Sequence, residues 1–448
     1  MTKADSWKNV LGASVVDQVR YIVRAFSREG IKIGVARAPD DELDYLYAKR
    51  QLLVRDEYLD RVRQILQPPE ELDEERDDPA RVQRVIAGVV LLTLTEQHPT
   101  VPEALTVIDA ELGAGNATPN HVLTAAGNAG GCAATEPQEV PDEIEPYPSA
   151  CPGNGGAGVL IYMADTGLLA NAASGHPWLA GVEGDPDPNQ PTGALQIAPY
   201  AGHGTFVAGV ARCVAPAADI IVTNAFAIAG STLESDLVPR LVGALGLGVD
   251  IFHLTIAAQT RHGLPLIAFK KWLRLLRQYK GVVCVVAAGN SDSRQPYWPA
   301  AFSEVVSVGA LAGDWRSRAS FSNYGGWVDV YAPGRDLVNA YATGTYKCHV
   351  RPYKGEEREF YGMCQWSGTS FSTPVVTGLI AARMSRTGEN GQEAAAALLA
   401  EARSHAIPGV GPILLPCCHD DRPGGGCSCY SGPRRPGCEP RPHCPGPG

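Results

Sequence analysis

Apolar residues recur with two different periods along this chain, and the change of period divides it. Val15, Val16, Val19, Ile22, Val23 and Phe26 fall near a spacing of about 3.6 residues, which predicts a helix over residues 1–30. Ile31-Lys-Ile-Gly-Val-Ala predicts a short strand, Leu52-Leu-Val-Arg another, and Glu57 to Leu66 a helix closed by Pro68 and Pro69. A polar run follows at 70–78, a solvated face or linker rather than a metal site, because it lacks the glycine turn and ordered spacing of a calcium loop. Val85 to Leu94 then reads as one buried strand, Val101 to Leu112 as a helix, and His121 onward as a further strand. Elements in this order build a small α+β sandwich.

From Val159 the rhythm changes. Continuous apolar runs at Val159–Met163, Ile220–Val222, Ile251–Ile256, Val282–Ala287 and Val305–Val308 alternate with helical stretches at His203–Val214, Ser235–Leu247 and Leu266–Tyr279. Strands apolar on both faces, separated by helices, predict a parallel sheet covered on both sides. The expected fold class is therefore α/β, a doubly wound, mostly parallel sheet with a small N-terminal α+β domain. The expected domain limits are 1–125 for the N-terminal region, 126–156 for a Gly-, Pro- and acid-rich linker, 157–415 for the α/β domain and 416–448 for a tail.

Composition narrows the partners. A hydrophobic share of 45% with 19% charged residues describes a globular chain, and a net charge of −10 argues against a nucleic-acid partner. No apolar run reaches the roughly 18 residues of a membrane span, so no membrane partner is expected. The first residues lack a basic region followed by an apolar stretch, so the expectation is a cytoplasmic protein, or a secreted one if this is not the native start. Of 12 cysteines, six crowd into 417–448 beside seven prolines and seven glycines, a composition that predicts a disordered tail. A metal clamp and a disulfide knot are the other readings of those cysteines. Cys213 and Cys284 sit in apolar runs as buried thiols, and Cys348 and Cys364 bracket an insertion that a disulfide could close.

Four stretches carry candidate chemistry. Trp366-Ser-Gly-Thr-Ser370-Phe-Ser-Thr-Pro-Val-Val-Thr-Gly378 reads as a loop turning into a buried helix, where unpaired N–H groups favour developing negative charge beside Ser370. Upstream lie Val159-Leu-Ile-Tyr-Met-Ala-Asp165-Thr-Gly167, Gly202-His203-Gly-Thr-Phe-Val-Ala-Gly209 and Val285-Val-Ala-Ala-Gly-Asn290-Ser. Singly, each has a structural use: Ser370 and His203 as helix caps, Asp165 as a turn former, Asn290 as a left-handed turn residue. Asp165 and Asn290 also fall just beyond predicted strands, at the carboxyl edge where such sheets carry their working groups.

Together, in the order Asp, His, Asn, Ser, these motifs resemble the subtilisin-like serine proteases over about residues 150–385, and Ala319 to Gly334 is similar to the family as well. The resemblance implies a serine endopeptidase in which Ser370 attacks the peptide carbonyl, His203 takes and returns the proton, Asp165 holds the imidazole and Asn290 stabilises the oxyanion; that arrangement is a worked example among the general principles of catalysis. It further implies a substrate cleft between Thr255-Ile256-Ala257 and Ala287-Ala288-Gly289, a protein or peptide substrate, and no required cofactor, with structural Ca²⁺ as a family habit. The N-terminal region stands where members carry an intramolecular inhibitor, and an unrelated accessory domain is its other reading. Two departures stand out: Phe206 replaces a second histidine after His203, and Ala257 stands where the family has glycine, where a side chain could narrow the pocket for the residue before the cut, and the preferred residue stays open. Thr343 to Gln365 is a longer insertion than usual. Alternatives are a processing protease dedicated to a precursor peptide, a binding module on an inactive protease fold, and a tail that itself binds metal or a partner.

Overall fold

The computed structural model describes residues 3–38, 43–66, 81–125, 134–141, 143–190 and 196–416. The acidic run at 70–78, the first part of the expected linker and the tail from Cys417 lie outside the described residues.

The N-terminal region runs α1 (Lys3–Arg28), β1 (Ile33–Arg37), β2 (Leu43–Arg55), α2 (Leu59–Leu66), β3 (Val82–Ile86), β4 (Val89–Thr93), α3 (Val101–Leu112) and β5 (Ala117–Thr124). A capping box between Thr100 and Glu103 starts α3, with Pro102 in its first turn where no N–H is needed. The helices α2 and α3 cover one face of the sheet through Val62, Leu66, Leu105 and Ile108 against Leu52, Val54, Val90 and Leu92. Two expectations change here. The predicted single strand Val85–Leu94 is a hairpin: β3 and β4 pair antiparallel about a turn in which Gly88 takes φ +87. Glycine makes that turn at little cost, and the apolar residues on either side hide the break from a reading of hydrophobicity alone. The strand expected at Leu52–Arg55 begins much earlier, at Leu43, since its first half pairs with β1 and its second with β4.

The second half runs β6 (Leu160–Ala164), a single turn α4 (Ala172–Gly175), β7 (Glu183–Gly184), β8 (Gln196–Ile197), α5 (His203–Val214), β9 (Asp219–Thr223), β10 (Ser231–Leu233), α6 (Glu234–Ala244) and β11 (Ile251–Leu254). There follow α7 (Ile267–Leu276), β12 (Val283–Ala287), β13 (Val306–Leu311), β14 (Val330–Pro333), β15 (Leu337–Lys347), β16 (Glu357–Trp366), α8 (Thr369–Thr387) and α9 (Gly391–Ser404). Seven of these strands form one sheet in the order β14-β13-β12-β11-β6-β9-β7. Every neighbouring pair in it is parallel.

The apolar runs are explained by that burial. Ile161 and Met163 face the side covered by Val207 of α5 and Val375 of α8, whereas Tyr162 and Phe252 face Leu237 of α6 and Trp272 of α7. A strand with a helix layer on each side has no polar face, so alternation disappears from its sequence. The sheet is the doubly wound α/β architecture expected.

The long insertion forms the antiparallel hairpin β15–β16, to whose outer strand β8 adds. Residues after the expected linker's first part dock on it: Gln138 pairs with Gln365, and Tyr147 with Val338. Helix α1 reaches the same insertion, where Asp17 meets Lys354 at 2.7 Å and Arg351 at 3.2 Å. The Cys348–Cys364 disulfide that the sequence left open is absent, and both cysteines are buried as thiols. Register explains this: Cys364 lies opposite Asn339, near the other end of the hairpin from Cys348, beyond disulfide reach. Cys213 and Cys284 are buried as expected, and burial pushes the Cys213 thiol up to about 12. Among the described residues, no helix is long and apolar enough to cross a membrane.

Candidate active site

Four loop-to-element junctions converge on the carboxyl edge of the parallel sheet. Asp165 follows the last residue of β6, His203 is the first residue of α5, Asn290 lies just past β12, and Ser370 is in the first turn of α8. Asp165 is fully buried and its Oδ1 lies 2.6 Å from His203 Nδ1. The same oxygen accepts from the Thr166 N–H at 2.8 Å, and Oδ2 accepts from the Thr255 hydroxyl at 2.6 Å. Burial pushes the Asp165 carboxyl up, yet the neighbouring imidazole and these donors outweigh it and hold the group below the ordinary carboxylate range. With Nδ1 committed to a carboxylate, Nε2 is the ring's working nitrogen, and it has no hydrogen-bond partner among the described residues. The ring is wedged between Phe371, 5.3 Å away, and the edge of Trp366, at 5.6 Å.

Asp187, which the sequence does not single out, braces the two loops that carry Asp165 and His203. It is buried and accepts from the Gly202 N–H at 2.8 Å, the Thr166 hydroxyl at 3.3 Å and the Asn189 N–H at 2.8 Å. A second buried histidine, His253 on β11, bonds Thr377 at 2.9 Å. Burial pushes it down to about 3, so it stays neutral beneath the site and adds no charge beside Asp165.

Asn290 is oriented by Thr369. Its Oδ1 accepts from the Thr369 N–H at 2.9 Å and the Thr369 hydroxyl at 3.0 Å, which leaves the amide nitrogen as the donor turned the other way. The Gly289 N–H in turn donates to that hydroxyl at 3.1 Å. Gly289 has φ +99, and a Cβ there would lie 2.6 Å from Asn323 Nδ2, so both backbone and space demand glycine. Asn323 ties the loop down, donating to the Ala288 carbonyl at 2.8 Å and accepting from Ser291 and Ser293 at 3.0 Å.

The cleft residues divide by role. Thr255 turns its side chain to Asp165, Ile256 sends its own into the core, and Ala257 offers its backbone. Ala257 exchanges both hydrogen bonds with Thr124, at 3.0 and 3.3 Å. On the other side β5 pairs antiparallel with β10, matching Val122 to Leu233, Leu123 to Thr232 and Thr124 to Ser231. The end of the N-terminal region is therefore the middle strand of three, and the next residue, Ala125, is bonded through its N–H to the Gly230 carbonyl at 2.8 Å. The Ser370 hydroxyl donates to the Ala125 carbonyl at 2.8 Å. On the opposite wall, Ala287 ends β12 while Ala288 and Gly289 continue past it.

Thr124 and Ala125 escape a reading of the sequence, since a strand end followed by alanine and glycine has no chemical signature. The N-terminal sheet is anchored beside them: Arg261 reaches Asp109 at 2.5 Å, and the Arg261 N–H donates to His121 Nε2 at 3.2 Å. Among the described residues, no group of three or more His, Cys, Asp or Glu is placed to hold a metal ion.

The family model described as "Subtilase family" matches residues 156–410. The thermophilic serine proteinase of Bacillus sp. (strain AK1) is 30% identical over 276 residues, 57% of this chain and 59% of that protein, so the chain spans little more than half its length. Thermitase of Thermoactinomyces vulgaris is 29% identical over 275 residues, 57% of this chain and 84% of its own. Among solved structures, fervidolysin from Fervidobacterium pennivorans, described as a keratinolytic enzyme related to subtilisin, superposes with a TM-score of 0.53. That match is at 17% identity and covers 82% of this chain and 60% of that one.

Proposed function

Because the chain belongs to the subtilase family, we propose that it is a serine endopeptidase whose Asp165, His203 and Ser370 act as one relay with Asn290 as oxyanion donor. The observation that carries this reading is the Ser370 hydroxyl lying against a peptide carbonyl that antiparallel strand pairing holds in place. In the reaction the hydroxyl turns from that carbonyl oxygen toward His203 Nε2 and gives up its proton as Oγ bonds to the carbonyl carbon. The negative charge gathers on the carbonyl oxygen, where the Asn290 amide and the first-turn N–H groups of α8 stabilise it. Asp165 keeps the ring in the tautomer with Nδ1 protonated and stabilises the imidazolium that forms. His203 then protonates the leaving amine, and water repeats the sequence on the acyl-enzyme.

The N-terminal region is the first occupant of the cleft and its inhibitor. Residues 122–125 fill it as a peptide would, with both neighbouring strands supplying backbone bonds. On this reading the first bond cut joins Ala125 to Ala126. Labelling with a fluorophosphonate probe, alongside mass analysis of the chain, tests the proposal. Label on Ser370 and fragments that end at Ala125 support it. A folded chain that is never labelled, even with residues 1–125 removed, would favour the binding-module alternative.

A further inference from the structure

We propose that the pocket for the side chain before the cut is shallow, and that Tyr297 and Ala257 restrict this enzyme to small residues there, alanine, serine or glycine. The inference rests on the serine-protease reading above and adds the substrate class to it.

Three observations carry it. First, Ala125, whose carbonyl meets Ser370, is 2% exposed, so the residue presented to the serine is enclosed. Second, the two walls stand against each other. A Cβ built on Gly289 would lie 3.3 Å from the Ala257 methyl and 3.4 Å from Tyr297 Cδ1. A single carbon added at Gly289 would thus already touch both the Ala257 methyl and the edge of the Tyr297 ring. Third, the walls are stitched together one residue further on, where Ala258 and Trp298 exchange backbone bonds at 2.8 and 2.9 Å. Tyr297 itself is 2% exposed, buried beside that bridge.

The sequence outside the pocket is consistent with a cut after a small residue, since the segment delivered to Ser370 ends Val122-Leu-Thr-Ala125. A larger side chain at the last position would have to displace backbone or the Tyr297 ring, a steric exclusion rather than a mere loss of contact.

The test uses the full chain in two arms. In one, peptides carrying Val-Leu-Thr-X before a p-nitroanilide are compared for X as alanine, serine, leucine and phenylalanine. Hydrolysis breaks the C–N bond after X by way of the Ser370 ester and releases p-nitroaniline. Alanine should exceed phenylalanine in kcat/KM by roughly a hundredfold, the scale on which a pocket rejects a group it cannot hold. Tyr297→Ala and Ala257→Gly should each bring phenylalanine to within about tenfold of alanine. In the other arm, self-cleavage after residue 125 is read by mass: Ala125→Ser should be cut, Ala125→Phe should stay intact, and Tyr297→Ala should restore cutting of the latter. Equal or faster turnover of phenylalanine by the unmutated chain overturns the inference, whatever the variants do. Fluorophosphonate labelling separates the failures. A labelled enzyme without the small-residue preference sinks only the specificity, whereas a chain that is neither labelled nor active sinks the protease reading and the specificity together.

Discussion

The hydroxyl of Ser370 donates to the carbonyl of Ala125 at 2.8 Å, so the start of α8 and the end of the N-terminal region are held in one hydrogen bond. On the proposed mechanism Ser370→Ala removes the attacking oxygen while sparing the strand pairing around Thr124. The variant should remain a single full-length chain, and the unmutated protein should yield fragments ending at Ala125 and beginning at Ala126. Loss of one ordinary hydrogen bond costs about 0.5–1.5 kcal/mol, too little to unfold the variant. Cleavage of the alanine variant at the same bond and rate would assign the cut to another protease.

Asn290 and Thr255 separate two kinds of support. Asn290→Ala should lower kcat by about a hundred- to a thousandfold with little change in KM, because the amide acts on charge that appears only in the transition state. Thr255→Val leaves one oxygen of a fully buried carboxylate without its 2.6 Å donor. A hydrogen bond to a charged group is worth about 1.5–3 kcal/mol, so kcat/KM should fall by roughly ten- to a hundredfold. Unchanged kinetics in the threonine variant would mean that Thr166 and His203 suffice to hold Asp165.

His121 makes docking of the N-terminal region sensitive to acid. The ring accepts from the Arg261 N–H, lies 5.5 Å from Tyr45, and faces the Arg261–Asp109 ion pair. Burial, with a contribution from Arg261, pushes it down to about 3 from an ordinary 6.5. When docked the ring stays neutral, but once released it binds a proton below about 6.5. The undocked state therefore holds more protons in acid, and docking is at full strength above that point and weakens as pH falls towards 3. Fluorophosphonate labelling should thus speed up in the unmutated chain relative to His121→Gln as pH drops from about 7 to 5. A ratio that stays flat across that range would remove His121 from the account.

Asp17 fastens α1 to the insertion. Its carboxylate is buried, and burial pushes it up, but Lys354 and Arg351 bring it below the ordinary range. Both cations are half-exposed, so the pair is worth less than a fully buried one. Asp17→Ala should cost about 1–2 kcal/mol of the docked helix. Hydrogen exchange should rise across α1 and across β15–β16 together; a rise in α1 alone would mean the insertion is held by other contacts, such as the Glu136 carboxylate that accepts from Tyr346 and His349.

Much of the α/β domain was legible because its causes are local. Strands covered on both faces must be apolar throughout, and α5 begins at the glycine-flanked His203 because Gly202 takes φ +76 ahead of it. Asp165, His203, Asn290 and Ser370 announced themselves by the small residues around them, which keep backbone and side chain close. The hairpin at Gly88 was not legible, since its two strands share one apolar run. Nor was the separation of Cys348 from Cys364, which depends on register along β15 and β16.

The sequence by itself determined which residue types could do chemistry here and at which strand ends they would stand. It also determined the sheet, because buried parallel strands write their burial into composition. Only the tertiary structure decided what lies in the cleft. Ala125 reaches Ser370 through backbone pairing between β5, β10 and Ala257, and a backbone carbonyl is the same at every residue. The approach of Tyr297 and Ala257 to Gly289, across long separations in the chain, was decided in the same way. Side-chain chemistry is written residue by residue, but the space between side chains exists only after folding.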